Sequence, residues 1–189
     1  MATQDSRIKV KRSTVTATVP TVPSSNDHTD GTWTATDIYK GELFFNQADG
    51  ALWSRDNNGV VCLGGSVSLT IASADVLTLN TTPITLVGAV SGYAIEVVSA
   101  SVKVDFNTTP YATNVSLGIG QSASEPQVEL QCLDASVSTI RRLPSNAATS
   151  STDTQIIGNS DLIVSTRAGD PTAGDSDITI HVNYRLIPV

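Results

Sequence analysis

Apolar and polar residues alternate along two stretches of the chain, and this alternation predicts β-strands. In residues 98–106 the apolar positions are Val98, Ala100, Val102, Val104 and Phe106. In residues 178–186 they are Ile178, Ile180, Val182, Tyr184 and Leu186. Successive side chains of a strand point to opposite faces, so each set would lie on one buried face while the intervening polar residues face solvent.

Shorter apolar runs bounded by turn residues predict six further strands, at residues 67–71, 76–79, 84–87, 115–119, 128–132 and 161–166. Residues 144–153 and 169–177 are rich in Ser, Asn, Asp, Gly or Pro and are predicted loops. No segment shows the spacing of an amphipathic helix. The chain is therefore predicted to be all-β, with residues 66–189 forming an antiparallel, jelly-roll-like β-sandwich of roughly eight strands.

The first third of the chain is organised differently. Three short apolar runs in residues 41–63 are separated by Asp49-Gly50 and Asn58-Gly59. Both dipeptides tolerate the positive φ of tight hairpin turns, so this region predicts a three-stranded β-meander. Residues 1–64 would form an N-terminal attachment or stem module, with a hinge at Gly64-Gly65. Within it, the polar residues 13–36 predict an extended, poorly packed connector.

One short motif occurs twice. The order apolar-Asn-Thr-Thr-Pro is found at residues 79–83 and again at residues 106–110. Such a motif suits a strand that ends in a polar turn, because proline presets φ for the turn. Two copies do not make a repeat architecture. They predict two similar turns at the same end of the sandwich.

Charge and cysteine content narrow the function. The net charge is −7, which disfavours binding to a nucleic-acid backbone. The one basic run, residues 7–12, alternates with apolar residues and predicts a strand with a charged outer face. No apolar run reaches the roughly 18 residues needed to span a membrane, so no insertion is expected. Cys62 and Cys132 belong to no CxxC motif and are predicted to be buried free thiols.

The motifs of catalysis are missing from the sequence. It contains no GxSxG, HExxH or phosphate-binding GxxxxGK[ST] pattern. His28 and His181 are the two histidines, and the acid pair of a glycosidase would have to come from residues such as Glu96, Glu125 and Glu129. Any sandwich offers such groups, so we expect no enzyme activity and no cofactor.

Three acidic residues share one predicted loop. Asp170, Asp175 and Asp177 fall in one loop with Gly169 and Gly174, an arrangement that superficially suits a hard cation. Their spacing fits no EF-hand, and Asp, Gly and Pro are also ordinary turn residues. No metal site is predicted, and whether the loop binds a cation stays open.

Aromatic residues are concentrated in the first third of the chain, where they are candidates for oligomer or virion contacts. These residues are Phe44, Phe45, Trp53, Trp33 and Tyr39. Exposed Trp and Tyr side chains often anchor interfaces. The alternative, which we favour, is that a meander with little core of its own uses these rings for its packing.

Residues 41–46, 49–56 and 59–65 resemble the short β modules that recur in bacteriophage fibre and virion-associated proteins. Those modules typically follow an N-terminal strand such as residues 7–12. Residues 77–87, 93–97, 110–113 and 180–186 look like the β-sandwich found beside them. The long polar connector departs from the family pattern, and no binding residues carry over.

The resemblance implies a structural protein of the virion, made in the host cytoplasm. It would be a capsid decoration or head-fibre protein, commonly a homotrimer, in contact with the major capsid protein or another virion protein. An alternative is a tail-fibre module for host attachment that recognises a surface glycan or protein. Its aromatic candidates would be Tyr93, Phe106, Tyr111 and Tyr184. A depolymerase is a third interpretation.

Overall fold

The computed structural model describes residues 10–23, 34–57, 59–124, 126–143 and 156–189. The chain divides into two compact units, Met1–Leu63 and Gly64–Val189. The described residues contain one short helix, α1 (Ser73–Val76), and eleven strands. The strands are β1 (Lys11–Ser13), β2 (Leu43–Asn46), β3 (Ala51–Arg55), β4 (Val60–Ile71), β5 (Ile84–Val87), β6 (Tyr93–Asp105), β7 (Ser116–Gly120), β8 (Val128–Gln131), β9 (Thr139–Leu143), β10 (Leu162–Thr166) and β11 (Asp177–Pro188).

The second unit is an antiparallel sandwich of two four-stranded sheets. One sheet has the order β4-β11-β6-β9 and the other β5-β10-β7-β8. All strand pairs with a described register within these sheets are antiparallel. The strands, counted from β4, thus occur in the orders 1-8-3-6 and 2-7-4-5, which is the connectivity of an eight-stranded jelly roll. The predicted fold class is confirmed.

The two strands with the clearest alternation form the centre of the first sheet. On β11 all five predicted apolar residues are buried, and His181 lies on the exposed face. On β6 the prediction fails at Val98, which is 63% exposed. The register shifts there, since Asn183 pairs with Ser99 but Tyr184 pairs with Val97. Val98 is the extra residue of a β-bulge, which reverses the alternation and turns its side chain outward.

A glutamine side chain satisfies the backbone at this bulge. The Val97 N–H donates to Oε1 of Gln127 at 2.7 Å, and Nε2 of Gln127 donates to the Ile95 carbonyl at 2.8 Å and to Oε1 of Gln121 at 2.7 Å. Gln121 in turn donates to the same Ile95 carbonyl. Gln127 is buried. The Gln127 amide therefore supplies hydrogen bonds that the β6–β11 backbone ladder does not provide at the bulge.

Two local predictions were wrong. Residues 76–79 are not a strand, because Ser73–Val76 forms α1 and a turn follows. Val76 and Leu79 are both fully buried, and their spacing of three fits one face of a helical turn as well as a strand end. The edge strand β9 was not predicted. Its outward Ile140 and its Arg141-Arg142 pair hide the alternation that a half-buried strand normally shows.

The first unit contains the predicted meander. β2 pairs antiparallel with β3, and β3 lies beside β4, whose residues up to Leu63 belong to this unit. The turn before β3 contains Gly50 at φ 65°, as expected for Asp-Gly. β1 adds a parallel strand to β2. Of the predicted strand 7–12 only its last residues lie within β1, and residues 1–9 lie outside the described part.

The described part of the predicted connector is tied into the first unit. Thr21 donates its N–H to the Thr36 carbonyl and its hydroxyl to Asp37, while the Thr34 N–H donates to the same Asp37 carboxylate. The segment between them thus begins and ends at one place. Residues 14–17, 21–22 and 34–35 are nonetheless exposed, and the connector stays a prediction. Gly64 and Gly65, where a hinge was expected, lie within strand β4, and the hinge stays a prediction.

Candidate interaction surface

The inner face of the meander holds the unit's own core. Phe44 and Trp53 face each other across β2 and β3 and are fully buried, together with Ile38. Tyr39 is half-buried beneath Nζ of Lys11, which lies 5.4 Å from the ring centroid. Phe44 and Trp53 are thus not accessible at the surface, and a contact role for Phe44, Trp53 and Tyr39 stays a prediction. Trp33 lies outside the described residues.

The opposite face of the same strands is apolar and exposed. We call it the outer meander face; it consists of Leu43, Phe45, Leu52, Val61 and Leu63. Phe45 and Leu52 are direct cross-strand partners. All members except the half-buried Leu52 are 37–55% exposed. Of the five predicted contact residues, Phe45 is the one that contributes to this face, and its role in a contact stays a prediction.

Little charge borders the outer meander face. Arg12 of β1 lies in register with Phe45, and Ser54 lies opposite Leu43. The acidic Glu42 is engaged elsewhere, since its carboxylate accepts the Tyr39 N–H at 2.8 Å and pairs with Lys11 at 2.9 Å. An exposed sheet face of this kind, apolar at its centre, is typical of a protein–protein contact.

The sequence carries a signal for this face beside the aromatic residues. Strands β2 and β4 begin Leu-Phe-Phe and Val-Val-Cys-Leu, so they are apolar at consecutive positions. A strand that is apolar on both faces is normally covered on both faces. The aromatic content of the unit points to Phe44 and Trp53, whereas the aliphatic residues Leu43, Val61 and Leu63 form most of the outer meander face.

The repeated Asn-Thr-Thr-Pro turns meet at one loop of the jelly roll. Asp170 accepts the backbone N–H groups of Asn80 and Thr81 at 2.7 and 3.0 Å, and also the Thr81 hydroxyl. The Asn80 amide donates to the Thr166 carbonyl at 2.5 Å. One carboxylate thus fixes the first turn, and the hydroxyl of Thr81 is the main cause of the lowered pKa of Asp170.

Asp175 fixes the second turn in the same way. Its carboxylate accepts the N–H groups of Thr108 and Thr109 at 3.1 and 2.9 Å, the Asn107 amide at 3.1 Å and the Thr108 hydroxyl. These bonds, the Thr108 hydroxyl foremost, lower the pKa of Asp175. Both turns therefore lie at the same end of the sandwich, as predicted from their sequences.

The acidic loop is structural in the described part of the chain. Asp177, the third of the predicted trio, accepts the Ser73 N–H at 2.9 Å. Among the described residues no group of three or more His, Cys, Asp or Glu side chains could hold a metal ion. Each of the three aspartates instead orders a neighbouring piece of backbone.

The aromatic residues of the jelly roll are mostly unavailable to a ligand. Tyr111 and Tyr184 are buried, and the Tyr111 hydroxyl donates to the Ser176 carbonyl at 2.6 Å. Burial raises the pKa of Tyr111 to about 12. Tyr93 and Phe106 are half-buried. The sandwich thus presents at most two of the four rings considered for glycan stacking.

The acids considered for catalysis are engaged in ion pairs. Glu96 pairs with Arg185, and Glu129 with Arg167 at 3.0 Å. Glu125 and His28 lie outside the described residues. Both cysteines are free and buried, as predicted, and burial raises the pKa of the Cys132 thiol to about 12.

Comparison with known proteins adds little to this description. No protein-family model matches the chain, and no curated protein matches it. A chain in the solved "Cyanophage Pam1 capsid asymmetric unit" aligns with 66% of this chain and 84% of its own length, at a TM-score of 0.37 and 12% identity. Agreement at this level establishes neither a shared family nor a shared function. In the described residues no helix is long and apolar enough to cross a membrane.

Proposed function

We propose that the chain is a structural protein on the outside of a bacteriophage particle, a capsid decoration or head-fibre protein that assembles as a homotrimer and has no enzymatic activity. The observation that carries the proposal is the outer meander face. It belongs to the same residues, 41–65, that resemble the β modules of virion-associated proteins.

The division of labour between the units supports a structural role. The jelly roll buries the apolar face of β11 and the interior of both sheets without a disulfide, so it can fold in a reducing cytosol. The meander unit closes its own small core and still exposes an apolar sheet face. The meander unit thus has a contiguous apolar surface suited to assembly.

A specific observation also favours the receptor-binding alternative. The two turns held by Asp170 and Asp175 place the exposed Thr81, Thr82 and Thr108 at one end of the jelly roll. A loop end that is held by hydrogen bonds loses little entropy when it binds. A host glycan or protein contacted there would make the chain a tail-fibre module. A glycan array probed with the full chain and with a Thr81→Ala, Thr108→Ala variant tests this alternative.

The decisive experiment measures the copy number of the chain in purified particles, relative to the major capsid protein, by quantitative peptide mass spectrometry. A ratio on the order of one per capsomer or per icosahedral three-fold site supports decoration or a head fibre. A handful of copies per particle assigns the chain to the tail and favours receptor binding. Absence from the particle refutes both assignments. Turnover of host polysaccharide by the purified chain would refute the non-enzymatic role.

A further inference from the structure

We propose that the outer meander face, Leu43, Phe45, Leu52, Val61 and Leu63, is buried against the same face of other copies of this chain. The inference deepens the proposed function, on which it rests for the expectation that several copies assemble together. It assigns the contact to one sheet face of the first unit and leaves the jelly roll outside the contact.

The outer meander face is uncovered in the described part of the chain. The inner face of the same strands already packs on Phe44 and Trp53, which are fully buried. The outer side chains have no such layer in the described part of the chain. Apolar sheet faces pack on other sheet faces at about 10 Å, with interdigitating side chains. A second meander offers a face of the same size, the same strand direction pattern and the same polarity.

The distribution of charge favours another copy as the occupant. Residues 64–189 contain eleven acidic and five basic residues, whereas residues 1–63 contain seven and six. Copies that met through their jelly rolls would bring together two strongly acidic surfaces. Copies that meet through the first unit bring together nearly neutral ones. In the described part of the chain Arg12 is the charged residue in register with this face, so the face offers little to a partner recognised by charge. An apolar face is complementary to itself.

The size of the face sets the expected strength of the contact. The exposed fractions of Leu43, Phe45, Val61 and Leu63 together amount to less than two fully exposed side chains. At ~150–250 Å² for one large side chain, the exposed area of the face is about 300 Å². A standard stable interface buries about 800 Å² per partner. A single pair of faces should therefore dissociate readily, and closed symmetry, in which each copy contacts two others, would strengthen it.

Sedimentation of the full chain across roughly 1–300 µM, a range that covers weak interfaces, tests the proposal. We expect the mass to rise above the 19.7 kDa of one chain within this range. The variants Phe45→Asp and Leu63→Asp, on two different strands, should each weaken association at least tenfold. Ile140→Asp is the matched control, because Ile140 is 70% exposed on β9 of the jelly roll and should leave association unchanged.

Near-UV circular dichroism of the buried Trp53 verifies that each variant is folded. A wild-type chain of 19.7 kDa at every concentration overturns the proposal, as does an oligomer that both folded variants leave intact. If both variants misfold, hydrogen exchange of the wild type decides. Slower exchange of residues 43–45 and 61–63 at the higher concentration supports the contact, and unchanged exchange refutes it.

Failure of the self-association proposal can be distinguished from failure of the proposed virion role. An oligomer that forms through this face but is absent from particles refutes the virion role and leaves the contact standing. A monomer found at high copy number in particles refutes the contact and leaves the virion role standing.

Discussion

Replacing Gln127 by leucine tests whether a buried amide holds the β-bulge of β6. Leucine has a similar volume, so the change removes hydrogen bonds without opening a large cavity. The Val97 N–H would lose its acceptor at 2.7 Å. The Ile95 carbonyl would keep its bond from Gln121, which is 2.6 Å long. The substitution thus removes the partner of one part-buried backbone donor and also the donor to Oε1 of Gln121.

The expected cost follows from this count. A buried donor left without a partner costs about 1–3 kcal/mol, and burial of the leucine side chain offsets only part of it. We expect Gln127→Leu to lower the free energy of unfolding by about 2 kcal/mol. For a unit of this size, a loss of about 2 kcal/mol corresponds to a thermal unfolding midpoint lowered by roughly 6–10 °C. Gln131→Leu is the control, since Gln131 is exposed and, in the described part of the chain, its side chain bonds only to Asp134.

Urea unfolding followed by near-UV dichroism of tyrosine provides the measurement. Both tryptophans belong to residues 1–63, whereas Tyr93, Tyr111 and Tyr184 belong to the jelly roll. The fourth tyrosine, Tyr39, belongs to the first unit, so the tyrosine signal reports chiefly on the unit that contains Gln127. A lower midpoint at an unchanged slope would indicate a change in stability alone. If Gln127→Leu and Gln131→Leu agreed within about 0.5 kcal/mol, the amide would not be what satisfies the bulge.

Three further predictions concern the jelly roll. Gly174→Ala should destabilise the unit by about 1–3 kcal/mol, because Gly174 has φ +96° and a Cβ there would overlap the Tyr111 ring. Gly88→Ala is the control: a Cβ at Gly88 meets open space, so this variant should have little effect on the urea midpoint. The pKa of Asp175 is lowered below its ordinary 3.8, so its hydrogen bonds stabilise the fold above about pH 4, and this stabilisation is lost as the pH falls through the lowered pKa. Asp175→Asn should therefore flatten the acid limb of a plot of stability against pH. An unaltered acid limb would contradict the stabilising role of the Asp175 carboxylate. The Cys132 thiol, with its pKa raised to about 12 by burial, should react with a thiol reagent only on unfolding. Rapid labelling of Cys132 itself in the native chain, distinguished from Cys62 by peptide mass spectrometry, would disprove its burial.

Sequence reasoning succeeded where side-chain alternation was uninterrupted. On β11 five apolar residues at every second position are all buried, because a central strand of a two-layer sandwich has one face in the core and one in solvent. The meander was equally readable, since Asp49-Gly50 suits the positive φ of its turn. The doubled Asn-Thr-Thr-Pro motif correctly placed two turns at one end.

Other features depended on residues far apart in the chain. Val98 continues the apolar alternation of β6, and the bulge that exposes it is visible only in the register with β11. Gln127, which satisfies that bulge, lies thirty residues from Val97. From the sequence, Asp170 and Asp175 were compatible with a cation-binding loop. In the structure they instead accept hydrogen bonds from the two Asn-Thr-Thr-Pro turns.

The sequence by itself determined that this chain is all-β, with a hairpin-rich first part and a jelly-roll-like second part, because turn dipeptides and alternation are local properties of the backbone. Only the tertiary structure decided which apolar residues are covered. Phe44 and Phe45 are adjacent and chemically identical, yet Phe44 is buried and Phe45 is on the exposed face. Their fates differ because burial depends on which face of the strand meets another layer, and that layer is built from residues distant in sequence.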